Sequence, residues 1–206
     1  GDQYSATELA TSLDNLARTI EQQGRLDDAL AIKLESIALR RANTTDSASL
    51  ASLPYTLNSV AVSYVYRGEF AKAETLLLEA LQTEARVHTD SSYNTGSLLR
   101  SYASLLDEMQ QPAKADSLAR RSIAVLRRTA GATHYEYLRS VALLAQLRYG
   151  ASDMPGTVAA AREVMAQVGL SLPEADATVG STLQVLGLAL DSLKQFAAAD
   201  TVLRRA

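Results

Sequence analysis

Cysteine is absent from the 206 residues, and so is tryptophan. Without cysteine the chain can hold no disulfide, no thiolate metal site and no cysteine nucleophile. Proline and glycine are sparse, at 4 and 10 residues, too few for the regular punctuation of an all-β protein. No apolar run approaches the roughly 20 residues of a membrane span, and residues 1–20 lack a secretory signal pattern. Positive charge is not in excess: the net charge is −3 and the pI near 5.5. Nucleic acid is therefore not an expected partner, since neutralising phosphates needs clustered cations. A glycine-rich phosphate loop is missing as well, which speaks against a nucleotide enzyme.

What the chain has is 47% hydrophobic residues, arranged in a repeat. With Gly68 as zero, equivalent turn positions fall at Gly24, Gln110, Ser152 and Lys194, spaced 44, 42, 42 and 42. Eleven residues before each stand Leu13, Leu57, Leu99, Val141 and Leu183, and eight before stand Leu16, Val60, Tyr102, Leu144 and Leu186. Seven before, every residue is small: Ala17, Ala61, Ala103, Ala145 and Gly187. Five after the turn come Ala29, Ala73, Ala115, Thr157 and Ala199. Steps of three and four place each set on one helix face, so each unit reads as an antiparallel helix pair. A small residue lets the neighbouring helix approach while large ones fill the space beside it. One pair cannot bury both of its faces, so the pairs must stack.

The expected organisation is a single helical-repeat domain over residues 1–206, with units 5–48, 49–90, 91–132, 133–170 and a shortened 171–206. Ser5-Ala6-Thr7-Glu8 reads as a capping box, as does Thr133-His134-Tyr135-Glu136, and Ser171 to Glu174 as the cap of the fifth inner helix. Ser5, Ser49, Ser91 and Thr133 form a row of hydroxyls expected to start the inner helices. Pro54 is then expected in a first helical turn, and Pro112 at the start of an outer helix. Gly150 to Gly156 reads as a longer break. Arg148 stands in a row otherwise held by Ile20, Tyr64, Leu106 and Leu190 and must snorkel or find a carboxylate.

The segments Leu57-Asn58-Ser59-Val60-Ala61 and Gly68-Glu69-Phe70-Ala71-Lys72-Ala73 resemble tetratricopeptide repeats, in the long 42-residue variety of kinesin light chains. The resemblance spans residues 6–206. It implies an all-α protein, a right-handed α-solenoid of about five antiparallel helix pairs, serving as a binding or regulatory module. Similar bacterial arrays are joined to kinases, peptidases and transcription regulators. The sequence departs from the family where an Asp-His-Pro is common before the inner helix, since His134 alone matches. Paired asparagines are reduced to Asn15 and Asn58.

In such a stack, offsets −13, −10, −6 and −3 face the concave wall. The rows are Thr11, Tyr55, Ser97, Arg139, Ser181; then Asp14, Asn58, Arg100, Ala142, Gln184; then Arg18, Val62, Ser104, Gln146, Leu188; and Glu21, Val65, Asp107, Tyr149, Asp191. The candidate peptide groove is Tyr55, Asn58, Val62, Val65, Arg100, Arg139, Gln146 and Tyr149, offering an amide, apolar contacts and carboxylate-binding guanidinium groups. The competing reading for Arg100 and Arg139 is local ion pairing on a solvated face, and for the acid row Glu21, Asp107 and Asp191 a solvated rim. Arg120, Arg121, Arg127 and Arg128 read as a convex solvent face. His88 and His134 have no serine-acid partner or second metal ligand at a usable spacing, so no catalytic residue, cofactor or metal is expected.

The function expected is a non-catalytic protein- or peptide-binding scaffold. The alternative is a structural or oligomerising segment of a larger signalling protein, self-associating through the apolar face of the fifth unit, Leu183, Leu186, Leu190 and Phe196. A cytoplasmic location is favoured over an excised extracytoplasmic domain.

Overall fold

The computed structural model describes residues 5–88 and 92–206. Among them are ten α-helices: α1 Ala6–Gln22, α2 Leu26–Ala42, α3 Ser47–Tyr66, α4 Phe70–Val87, α5 Tyr93–Glu108, α6 Pro112–Thr129, α7 Tyr135–Gly150, α8 Met154–Met165, α9 Ala177–Ser192 and α10 Phe196–Leu203. Apart from one isolated bridge between Val168 and Leu172, the described residues hold no β-structure. The chain forms two compact units, Gly1–Ser101 and Tyr102–Ala206. In the first, α1 packs on α2 and α3, and α3 on α2 and α4; in the second, α7 packs on α6, α8 and α9, and α9 on α8 and α10.

The turn inside every pair has the same chemistry. Three residues separate the paired helices in all five cases. The middle one takes positive φ throughout: Gly24 77°, Gly68 72°, Gln110 58°, Ser152 61° and Lys194 61°. Two backbone bonds lock each turn. The amide after the positive-φ residue reaches back to Ile20, Tyr64, Leu106, Arg148 or Leu190 (2.8–3.2 Å), and that residue's own amide to Glu21, Val65, Asp107, Tyr149 or Asp191 (2.8–2.9 Å). This is the Schellman closure, which satisfies carbonyls the helix would otherwise leave bare. Gly150 to Gly156 is thus no longer a break than the rest: α7 runs through Gly150, and Pro155 sits in the first turn of α8. Glycine takes a left-handed conformation without steric cost, whereas a Cβ is penalised there. Gln110→Gly, Ser152→Gly and Lys194→Gly are each expected to stabilise the protein by about 0.5–1 kcal/mol, read as a higher urea midpoint at unchanged slope.

The small-residue row does what its spacing requires. Ala17, Ala61, Ala103 and Ala145 are all fully buried. At Gly187 an added Cβ would lie 2.4 Å from Leu203 Cδ2, so even alanine requires the Leu203 side chain to shift. Ala17 and Ala29 cluster with Ile20, and Ala103 and Leu106 with Ala115, Ala119, Leu143 and Leu147.

Other expectations are corrected. Leu16 belongs to the core row by offset, yet it is 48% exposed; among the described residues α1 packs against α2 and α3. Of the face expected to be bare, Leu183, Leu186 and Leu190 are buried and only Phe196 is exposed; α7, α8 and α10 surround α9.

The helix starts also differ. Ser5 forms the expected capping box with Glu8, but α3 is capped by Asp46 rather than Ser49, α7 by His134 rather than Thr133, and α9 by Asp176 rather than Ser171. Ser92 Oγ accepts from the Thr95 amide at 3.0 Å, while Ser91 lies outside the described residues. Contacts across the repeat decide the α3 start. Thr7 Oγ1 on α1 donates to the Asp46 carboxylate and lies 2.7 Å from Ser49 Oγ, and with the Ser49 amide it holds the Asp46 carboxyl below its usual range. Helix α3 therefore gains a turn, and Pro54 stands inside it instead of in its first turn, depriving the Leu50 carbonyl of its helical donor.

Candidate peptide-binding pockets

Helix α3 places Tyr55, Asn58, Val62 and Tyr66 along one side, at steps of three and four that share a face. Against them stand Glu21 from α1 and Leu26 and Lys33 from α2, enclosing a pocket of about 680 Å³ in the first unit. Tyr55 is 70% exposed and Tyr66 87%, so their rings form open walls while Leu26 and Val62 supply apolar surface. Asn58 lies deeper, and its Oδ1 is buried with no hydrogen-bond partner among the described residues. A buried acceptor without a donor costs free energy.

The pocket floor is built from charges. Lys33 is buried; its Nζ donates to Glu21 Oε1 and to Ser59 Oγ, the latter at 2.7 Å. Beside it, a smaller cavity of about 100 Å³ is lined by Asp14, Arg18, Tyr55 and Thr56 among others. Behind this cavity Arg40, 2% exposed, donates to Asp14 Oδ2 at 2.7 Å, and Thr56 Oγ1 donates to the same oxygen at 3.1 Å. Asp14 is thus not a free concave residue, as its offset suggests, but the counter-ion of a buried guanidinium. Arg18 spans the rim to Asn15 Oδ1 at 2.7 Å.

The second unit brings Gln146 and Tyr149 together in a pocket of about 300 Å³ with Asp107, Gln110, Pro112 and Val185. Arg139 lies elsewhere, bonded to Glu136 at 3.3 Å, and its charge helps hold the Asp176 carboxyl low, after the Thr178 hydrogen bonds. Ala142, in a concave row by offset, is buried. Arg148 resolves its misplacement as expected of a stranded cation: Nη1 donates to the Gly156 carbonyl at 3.1 Å, and Nε lies 3.9 Å from Asp153. Arg100 on α5 and Val65 on α3 are half-buried and line neither pocket.

Of the eight residues expected to form one groove, Tyr55, Asn58 and Val62 share this pocket, and Leu26, Lys33, Tyr66 and Arg67, which were not expected there, line it too. A signal for Lys33 existed: with Ala29, Ile37 and Arg40 it lies on the buried stripe of α2, and a cation on a core stripe demands an acid opposite. Among the described residues no three His, Asp or Glu side chains converge as metal ligands, and no helix is long and apolar enough to cross a membrane.

Family models described as tetratricopeptide repeat match residues 9–43 and 52–128. Together they cover more than half of the chain, which belongs to the tetratricopeptide-repeat family. No curated protein matches it in sequence. Among solved structures it is similar to BtubC (BKLC) from P. vanneervenii, with a TM-score of 0.80 and 16% identity over 97% of this chain and 79% of that one. It is also similar to a Podosopora anserina putative kinesin light chain with nearly identical TPR-like repeats, with a TM-score of 0.73 and 18% identity over 98% and 95%. A third likeness is to MamA RS-1, with a TM-score of 0.62 and 16% identity over 96% and 92%. These likenesses show the fold, an all-α helical-repeat solenoid. The general class is a protein-interaction scaffold.

Proposed function

We propose that the protein binds a polypeptide segment in the pocket between α1, α2 and α3, and carries out no chemistry itself. The observation that carries this reading is the pocket itself, in which Asn58 is set among Tyr55, Val62, Tyr66 and Leu26. A ligand backbone can pair with the Asn58 amide, and the exposed rings offer apolar area at small entropic cost. Pocket size supports the same reading, since about 680 Å³ lies within the range of specific small sites and takes one or two side chains. Membership in a family of interaction scaffolds is consistent with it. Of the face on which self-association through the fifth unit was argued, the three leucines are covered and Phe196 stays exposed.

The test begins with a partner captured by the wild-type chain, identified by mass spectrometry and titrated calorimetrically. Asn58→Ala and Tyr55→Ala are each expected to weaken it by roughly tenfold or more, about 1.4 kcal/mol, with thermal melts within a degree or two of the parent. Unchanged affinity in both variants would show that the partner binds elsewhere.

A further inference from the structure

The pocket of the second unit differs in chemistry from that of the first. Among the described residues lining it, Asp107 alone carries a charge. The carboxylate is half-buried, and burial, reinforced by neighbouring Glu108, pushes its pKa above the usual aspartate range. No described side chain or amide donates to it, and the nearby cation Arg148 is turned to Gly156 and Asp153. The Gln146 amide and the Tyr149 hydroxyl stand beside it, likewise without side-chain partners among the described residues, while Leu147, Val185 and Pro112 supply apolar wall. Three polar groups with spare hydrogen-bonding capacity, one of them an anion out of full contact with water, therefore converge on one cavity of about 300 Å³.

We propose that this pocket is a subsite for a basic side chain, arginine or lysine, of a bound polypeptide. The cation meets Asp107 in a charge-assisted hydrogen bond, the Gln146 carbonyl accepts a further N–H, and the Tyr149 ring gives a polarisable face to the charge. The methylene stem lies along Leu147, Val185 and Pro112, as long basic side chains do when the head is held and the stem is apolar. An acidic or phosphorylated side chain is excluded by the same carboxylate. The proposal rests on the scaffold reading in one respect, that a polypeptide carries the cation.

The probe is acetyl-arginine amide, titrated into the isotopically labelled full chain by NMR, with the neutral isostere acetyl-citrulline amide as control. Shifts concentrated at Gln146, Leu147, Tyr149 and Val185, absent with citrulline and weakened roughly tenfold or more in Asp107→Asn, are the expected result. That variant relieves a buried charge and keeps the shape, so its melting temperature should equal or exceed the parent's. No localised shifts at tens of millimolar probe, equal shifts with citrulline, or indifference to Asp107→Asn would each overturn the subsite. The two readings fail separately. A captured partner weakened by Asn58→Ala while the amide binds nowhere near Gln146 removes the subsite alone. A partner indifferent to Asn58→Ala and Tyr55→Ala, with the amide bound at Asp107, removes the first-unit groove alone.

Discussion

Asp14→Ala is expected to destabilise the protein by about 3–5 kcal/mol, because it strands a buried charge. The Arg40 guanidinium is 2% exposed and holds Asp14 Oδ2 at 2.7 Å; among the described residues it also reaches the Thr11 hydroxyl, at 3.4 Å. Among the described residues its Nε and Nη1 already lack acceptors. Removing the carboxylate also strips Thr56 Oγ1 of its acceptor at 3.1 Å, so three helices lose a shared polar anchor. Replacing both charges should cost far less than replacing the acid alone, since an apolar pair of similar volume avoids desolvating two ions. Urea melts of Asp14→Ala, Arg40→Met and the double variant check this. The double variant should recover most of the loss. If Asp14→Ala alone falls within about 0.5 kcal/mol of the parent, the pair is not what holds α1, α2 and α3 in register.

The second large effect is purely steric. Leu57 is wholly buried on α3, the helix of the first unit that touches α1, α2 and α4. Leu57→Ala should cost about 2–5 kcal/mol, the lost transfer energy plus that of the cavity left behind. Leu16→Ala is the informative control. It removes the same atoms from a core-row position in the preceding repeat, but from a side chain already 48% exposed, and should cost less than about 1 kcal/mol. Equal losses in the two thermal melts would mean that the exposure of Leu16 has been misjudged, or that Leu57 is not central to the packing.

The parts of the fold legible in the sequence are those set by contacts a few residues apart. The positive-φ position falls where the 42-residue register put it in every turn, even where glutamine, serine or lysine replaces glycine. Helix periodicity fixes which residue must reverse the chain, and backbone bonds supply the closure whatever the side chain. The buried alanines were legible for a related reason, as a recurring small residue on a large-residue face has little use except close approach. The helix starts were not. Ser49 and Asp46 are both able caps, and Thr7, 39 residues from Asp46, settled the choice.

The candidate site divides the same way. Its α3 side followed from helical offsets, which is why Tyr55, Asn58 and Val62 were foreseen together. Its floor did not, since Lys33 and Arg40 come from an outer helix whose register against α1 is a tertiary matter. Asp14 was assigned to the groove wall because an offset gives direction without saying what waits there.

By itself, then, the sequence determined that paired helices repeat, where each pair turns and which small residues lie inside, because dihedral and helical periodicities are local and recur in each copy. The tertiary structure alone decided which charges are sunk and matched, which terminal leucines are covered and where polar atoms remain unmet. Those outcomes depend on groups tens of residues apart meeting within about 3 Å, the range over which a hydrogen bond compensates for lost water.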